Sequence, residues 1–148
     1  MKIREMMSIN PTRIRLGSSV REAAELFAFS NASDLVVVDS DNTFVGVLSE
    51  GDVMRAMLPE LSEVMAAGGR LADSYDLFQE KGATLAREPI DPHVITSPIV
   101  LSADDEVHKA AALMAVKQIR RLPVVEDGQL IGTVSRADVC RAVISRRG

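Results

Sequence analysis

QIRRLPVVEDGQLIGTVSRADV, residues 118–139, reads as two short strands followed by the start of a helix. Leu122–Val125 is an apolar run with β-branched residues, Glu126-Asp127-Gly128 is a turn, and Leu130–Val134 is a second apolar run with Gly132 inside it. Ser135 then opens a helix carrying Asp138, Val139, Ala142 and Val143. The stretch decides the fold because the chain contains it twice. SNASDLVVVDSDNTFVGVLSEGDVMRAM, residues 30–57, aligns with KQIRRLPVVEDGQLIGTVSRADVCRAV, residues 117–143. Upstream, Val20, Ala23, Ala24, Leu26 and Phe27 match Val107, Ala110, Ala111, Leu113 and Met114 at a constant offset of 87. The first turn, residues 39–45, is one residue longer than the second, residues 126–131, so the offset then becomes 86. Gly46, Ser49, Asp52, Val53 and Arg55 accordingly match Gly132, Ser135, Asp138, Val139 and Arg141.

Each copy has the same order of elements. An extended lead-in segment comes first, Ile9–Leu16 and Val94–Leu101, each holding a proline (Pro11, Pro98) that favours extended backbone and sits poorly inside a central strand. Ser18 or Ser19, and Ser102 or Asp104, are N-cap candidates for a helix whose apolar residues recur at i, i+3, i+4 and i+7. Two strands and a second helix follow. A β-α-β-β-α unit of this size buries too little surface alone, so two units packing face to face would share one core. The expected fold is mixed α/β (α+β): two β-α-β-β-α repeats packed pseudo-symmetrically, with a helical insertion between them. The boundaries fall at 1–58 for the first repeat, 59–92 for a connecting arm and 93–148 for the second repeat.

In the arm, Pro59 begins a helical turn, Gly68-Gly69 breaks it, and Leu71–Ala86 reads as a helix with Leu71, Tyr75, Phe78 and Leu85 on its apolar side. Pro89 and Pro92 end it. The arm is expected to cover part of the core or to form a subunit contact.

The composition excludes several classes of function. With 47% hydrophobic and 26% charged residues in 148, the chain is an ordinary folded protein with one aliphatic core, since it has four Phe, one Tyr and no Trp. It has no apolar run long enough to span a membrane, and MKIREMMS is too short and charged for a signal peptide. The lone Cys140 forbids an intramolecular disulfide and suits the reducing cytoplasm. A net charge of −4 disfavours nucleic acid, and the basic tail Arg141, Arg146 and Arg147 reads as a solvated end. His93, His108 and Cys140 stand at no metal-ligand spacing, so neither a zinc site nor a catalytic constellation is expected.

Ser135 and Asp138 permit two readings. Ser-x-x-acid before an apolar-periodic segment is the spacing of a helix capping box. Asp is one methylene shorter than the Glu or Gln of a usual box, however, and the same Ser and Asp recur in both copies while the residues between them differ. A carboxylate at a cleft edge can accept both hydroxyls of a ribose, and free amides at a helix N-terminus favour a phosphate. Arg120-Arg121, just before the 122–125 strand, are either a solvated edge or phosphate ligands.

These motifs resemble CBS domains, and the chain is similar to a stand-alone tandem CBS pair, or Bateman module. The resemblance rests on Leu122–Val125 and the run Gly132–Asp138, with Leu35–Val38 and Gly46–Asp52 as their counterparts; it covers everything but the arm. It implies a regulatory module without enzymatic activity or a required cofactor. Such a module binds AMP, ADP, ATP or S-adenosylmethionine in clefts between the repeats, forms a homodimer and acts on another protein in trans. It also implies which residues form each cleft. One site uses Arg120, Arg121, Ser135, Arg136 and Asp138, closed by Asn10, Pro11 and Thr12; the other uses Ser49 and Asp52, closed by Ser97, Pro98 and Ile99. The first repeat departs from the pattern, with Ser33-Asp34 at the basic slot, Val36 in place of Pro123, and Glu50 beside the motif. Like charge repels phosphate, so the first site is expected to be the better anion site. A scaffold that keeps the fold without a ligand is the alternative.

Overall fold

The computed structural model describes residues 1–146, so Arg147 of the basic tail lies outside the described residues. Contacts group the chain into two compact units. One comprises Met1–Arg15, Val36–Val47 and the chain from Ile95 onward; the other comprises Leu16–Leu35 and Leu48–Val94.

The first unit holds most of the strand residues; Asp34 and Leu35, and Leu48 and Ser49, at the ends of two strands, are grouped with the second. β1 (Arg13–Arg15) runs parallel to β2 (Asp34–Val38), pairing Arg13 with Val36 and Ile14 with Val37, and β3 (Phe44–Ser49) completes the order β1-β2-β3. α5 (Val107–Lys117) precedes an antiparallel hairpin of β4 (Arg121–Glu126) and β5 (Gln129–Ser135), and α6 (Arg136–Ile144) follows. The hairpin turn is only Asp127-Gly128, with φ of 50° and 76°. Two successive positive φ values match the twist of the flanking strands, so Glu126 stays in the strand.

The two lead-in segments behave alike. Ile14 pairs with Val37 in the first repeat, and its equivalent Leu101 bridges Val124 in parallel in the second. Ser8 bridges Thr133, and its equivalent Ile95 bridges Val47. Each lead-in therefore lies along the first strand of its own repeat and also reaches the second strand of the other. The expected extended segments are shorter than their sequence spans. The first is a strand only at Arg13–Arg15; the second forms no strand, just the bridges at Ile95 and Leu101 on either side of Pro98. Proline cannot donate to a ladder.

The core of this unit is aliphatic. Ile3, Leu101, Ala110, Leu122, Val124 and Val134 are buried together, and Val36, Val38 and Leu130 form a second cluster against Phe44. Ile3 is brought in by backbone bonds from its amide to the Asp105 carbonyl and from the Arg4 amide to the Ala103 carbonyl, both 2.9 Å. Lys2 pairs with Glu106 at 2.6 Å and Arg4 with Asp104 at 2.8 Å. Neither Ser102 nor Asp104 caps α5. Glu106 is the N-cap residue and its side chain accepts no cap bond. The Ser102 amide instead donates to the Asp105 carboxylate at 2.8 Å, closing a turn before the helix begins.

The second unit is helical: α1 (Val20–Ser30), α2 (Glu50–Met57), α3 (Leu61–Ala66) and α4 (Leu71–Leu85). Ser19 caps α1, its hydroxyl accepting from the Glu22 amide at 3.1 Å. Gly68 and Gly69, at φ of 130° and 72°, separate α3 from α4 as the sequence implies. The arm is tied down at its end: the Val20 amide donates to the Glu88 carbonyl and the Ile90 amide to the Ser18 carbonyl, both 2.9 Å, and Leu85 and Ile90 are buried. The other half of the expected apolar side of α4 faces solvent, since Leu71 is 89% and Tyr75 60% exposed.

Candidate functional site

The equivalent Ser-x-x-Asp turns are built the same way. In the second repeat the Arg136 amide donates to the Arg120 carbonyl at 3.1 Å, fixing the start of α6 beside the start of β4. In the first, the Glu50 amide donates to the Ser33 carbonyl at 3.0 Å, fixing the start of α2 beside the residue before β2. The backbone frame is thus shared, and the side chains it carries have opposite charge. Arg120, Arg121 and Arg136 stand at one junction; Ser33, Asp34 and Glu50 stand at the other.

Both turns cap their helices. The Asp138 amide donates to Ser135 Oγ at 3.1 Å, and the Ser135 amide donates back to Asp138 Oδ2 at 2.9 Å. The reciprocal capping box forms although Asp is shorter than Glu, so the length of the side chain does not count against that reading. In the first repeat Ser49 Oγ accepts from the Asp52 amide at 3.2 Å. Each aspartate also meets an arginine one turn on. Arg141 Nη2 donates to Asp138 Oδ1 at 3.3 Å, and Arg55 pairs with Asp52. Neither arginine was among the expected site residues. The offset of 86 does align them, and i, i+3 spacing puts them on the aspartate's face of the helix.

The arginines of the second junction differ in freedom. Arg121 Nη1 donates to the hydroxyl of the fully buried Thr133 at 3.0 Å, and Arg136 Nε donates to the Ile119 carbonyl at 3.0 Å. Arg120 is exposed and makes no side-chain hydrogen bond or ion pair among the described residues. A guanidinium held by one nitrogen keeps others for an anion. The sequence reading missed Thr133, whose counterpart is Val47. A Thr in place of Val on an inward-facing strand position next to Arg was the available signal.

The structure therefore gathers Arg120, Arg121, Ser135, Arg136 and Asp138 at one end of β4, β5 and α6. Asn10, Pro11 and Thr12 belong to the same unit, but no hydrogen bond or ion pair joins them to these five among the described residues. The contact made by the lead-in is Ser8, whose carbonyl accepts from Thr133 at 3.0 Å and whose amide donates back at 2.9 Å. Ser49 and Asp52 lie in the helical unit, and Ser97, Pro98 and Ile99 in the other. Among the described residues no cluster of three or more His, Cys, Asp or Glu could hold a metal ion, and no helix is long and apolar enough to cross a membrane.

The CBS domain pattern matches residues 3–59 and 91–145. The chain is 26% identical to MJ1225 of Methanocaldococcus jannaschii over 92% of its own length and 40% of that protein's. It is 29% identical to chloroplastic CBSX2 of Arabidopsis thaliana over 88% of its own length and 58% of that protein's. It thus spans less than two thirds of either relative. The crystal structure of CBSX2 in complex with AMP matches it with a TM-score of 0.73 at 26% identity, covering 97% of this chain and 96% of that one. Two matched segments, the duplicated architecture and this structural likeness lead to one conclusion: the chain belongs to the CBS domain family, as a tandem pair.

Proposed function

We infer that this protein is a cytoplasmic, non-catalytic sensor. It binds an adenosine-containing ligand, AMP, ADP, ATP or S-adenosylmethionine, and signals through the geometry of a homodimer or of a protein bound in trans. The observation that carries the reading is the charge contrast between two identical backbone junctions, Arg120 with Arg136 against Ser33 with Glu50. A frame duplicated for packing alone has no need of three arginines at one copy and two acids at the other. Asp138 would hold the ribose hydroxyls, the Ser135 hydroxyl would add a donor, and Arg120, Arg121 and Arg136 would meet the phosphate, with Asn10, Pro11 and Thr12 closing over the base. The junction at Ser49 and Asp52, with the acidic Glu50 between them, suits a ligand of less negative charge, such as S-adenosylmethionine or adenosine. CBSX2, crystallised with AMP, is the relative that favours this ligand class. Signalling follows only if the ligand binds one geometry better than another.

One observation favours the ligand-free scaffold instead: both Asp138 oxygens already have partners, the Ser135 amide and Arg141. Calorimetric titration with AMP, ADP, ATP, adenosine and S-adenosylmethionine separates the two. The sensor reading expects AMP binding that Asp138→Ala abolishes and Asp52→Ala spares. The reverse pattern would exchange the sites, and no binding of any of the five would leave the scaffold.

A further inference from the structure

Gly51 separates the two Ser-x-x-Asp turns in a way that the charge contrast does not describe. It stands in the first turn of α2, where the second repeat has Ala137. A Cβ at position 51 would lie 3.3 Å from Arg55 Nη1 and 3.6 Å from Arg55 Nη2. The Arg55 guanidinium therefore folds back over the turn, into space that an alanine side chain would crowd, and there it pairs with Asp52. Glycine is a poorer helix residue than alanine; what its missing side chain supplies here is room for Arg55.

The two aspartates are also held differently. Asp138 belongs to a capping box, accepting from the Ser135 amide at 2.9 Å, and its contact with Arg141 is the longer one, 3.3 Å. Asp52 accepts nothing from the Ser49 amide; among the described residues its carboxylate meets Arg55 alone. A backbone amide is fixed by the helix, whereas a guanidinium on a flexible stem, 64% exposed here, can swing away. The fold thus positions the Asp138 carboxylate, and a side chain that can leave occupies the Asp52 carboxylate. The first junction carries Asp34, Glu50 and Asp52 against Arg55, a net −2.

We propose that Arg55 gates the first junction: it covers the Asp52 carboxylate, the hydroxyls of a ligand have to displace it, and Gly51 gives it the room to close. The proposal rests on the reading of Ser49 and Asp52 as a ligand site and assigns that site its regulation. An exposed ion pair is worth a factor of about two to five, so the gate weakens the first junction by that factor. It also makes the binding of an uncharged ligand depend on salt, because salt loosens the ion pair that the ligand must break.

Calorimetric titration with adenosine tests the gate in chains carrying Asp138→Ala, which silences the second junction. Arg55→Ala is expected to raise adenosine affinity about two- to fivefold. Gly51→Ala keeps the charge and crowds the guanidinium, so it should move affinity the same way by a smaller factor. S-adenosylmethionine, a net cation, should gain more than adenosine from Arg55→Ala, which removes a like charge, and no more than adenosine from Gly51→Ala. Raising salt from about 50 to 500 mM should strengthen adenosine binding while Arg55 is present and leave the Arg55→Ala chain unchanged. An adenosine affinity that is unchanged or lower in Arg55→Ala, and still lost in Asp52→Ala, overturns the gate and leaves the ligand site standing. Adenosine binding that survives Asp52→Ala, or that is absent from every chain, overturns the ligand site and the gate with it.

Discussion

Ser8 and Thr133 exchange both of their backbone hydrogen bonds, at 2.9 and 3.0 Å, and the residue between Thr133 and Ile131 is Gly132. The approach is close enough that a Cβ at position 132 would lie 2.7 Å from the Ser8 carbonyl oxygen and 2.9 Å from Met7 Sδ. The sulfur can move aside; the carbonyl is held by its bond to Thr133. Gly132→Ala should therefore destabilise the chain by about 1–3 kcal/mol, the usual cost of overpacking. A fall in the urea midpoint at unchanged slope would show it. A midpoint within error of wild type would mean that the lead-in detaches freely.

Gly82 gives the opposite expectation. It lies in α4, and a Cβ there would meet only Met57 Sδ, at the ordinary contact distance of 3.4 Å. Alanine is the better helix former by about 1 kcal/mol, so Gly82→Ala should raise the urea midpoint. A decrease would show that the contact between α2 and α4 is tighter than the side-chain end of Met57 suggests.

The duplication made the secondary structure legible from sequence. It aligned Leu35–Val38 with Leu122–Val125 and both serine caps, and the structure has strands and capped helices there. Local chemistry decided the misses. Ser102 and Asp104 have cap-forming side chains, yet Asp105 used its carboxylate on the Ser102 amide, and no pattern rule ranks three neighbouring candidates. Leu71 and Tyr75 keep helical periodicity with Leu85, but periodicity reports only that a face is apolar and does not say what covers it. The partners of the site arginines were illegible for a different reason. Whether Arg121 turns to Thr133 or to solvent depends on side-chain direction across a strand pair, which residue spacing does not encode.

That contact makes a test of the proposed ligand site. Thr133→Val reproduces the residue of the first repeat at the same position, Val47. The swap removes the hydroxyl that accepts from Arg121 Nη1 and leaves no orphan, because half-buried Arg121 can reach water. Stability should change by less than about 1 kcal/mol. AMP affinity should fall several-fold while adenosine affinity holds, since only the phosphate ligand loses its positioning. Arg120→Ala combined with Arg121→Ala should bring AMP down to the level of adenosine. The two charge-assisted bonds lost are worth about 1.5–3 kcal/mol each, so the preference for AMP should drop at least tenfold. Parallel losses for AMP and adenosine would place these arginines outside the phosphate contact.

The N-terminal clasp should respond to acid. Glu106 is held below the ordinary carboxylate range first by its hydrogen bond to Lys2 and then by the Met1 ammonium, against a small opposing effect of burial. Asp105 is lowered chiefly by the Ser102 amide and further by Lys109. A carboxyl whose folded-state value is depressed stabilises the fold at pH above its unfolded value, about 4. That contribution is lost as the pH falls through the folded value. Acidification below about pH 4 should thus release Lys2 and, with it, the Ile3 and Arg4 backbone bonds to Asp105 and Ala103. Glu106→Gln removes one of the titrating groups. Its stability should be lower than wild type at pH 7 and should converge with wild type near pH 3, measured as urea midpoints across that range. Both partners are about half exposed, so the gap at pH 7 should be small and should narrow in high salt. A gap that stays constant from pH 7 to pH 3 would show that Glu106 acts through packing of its aliphatic stem, with its charge contributing nothing.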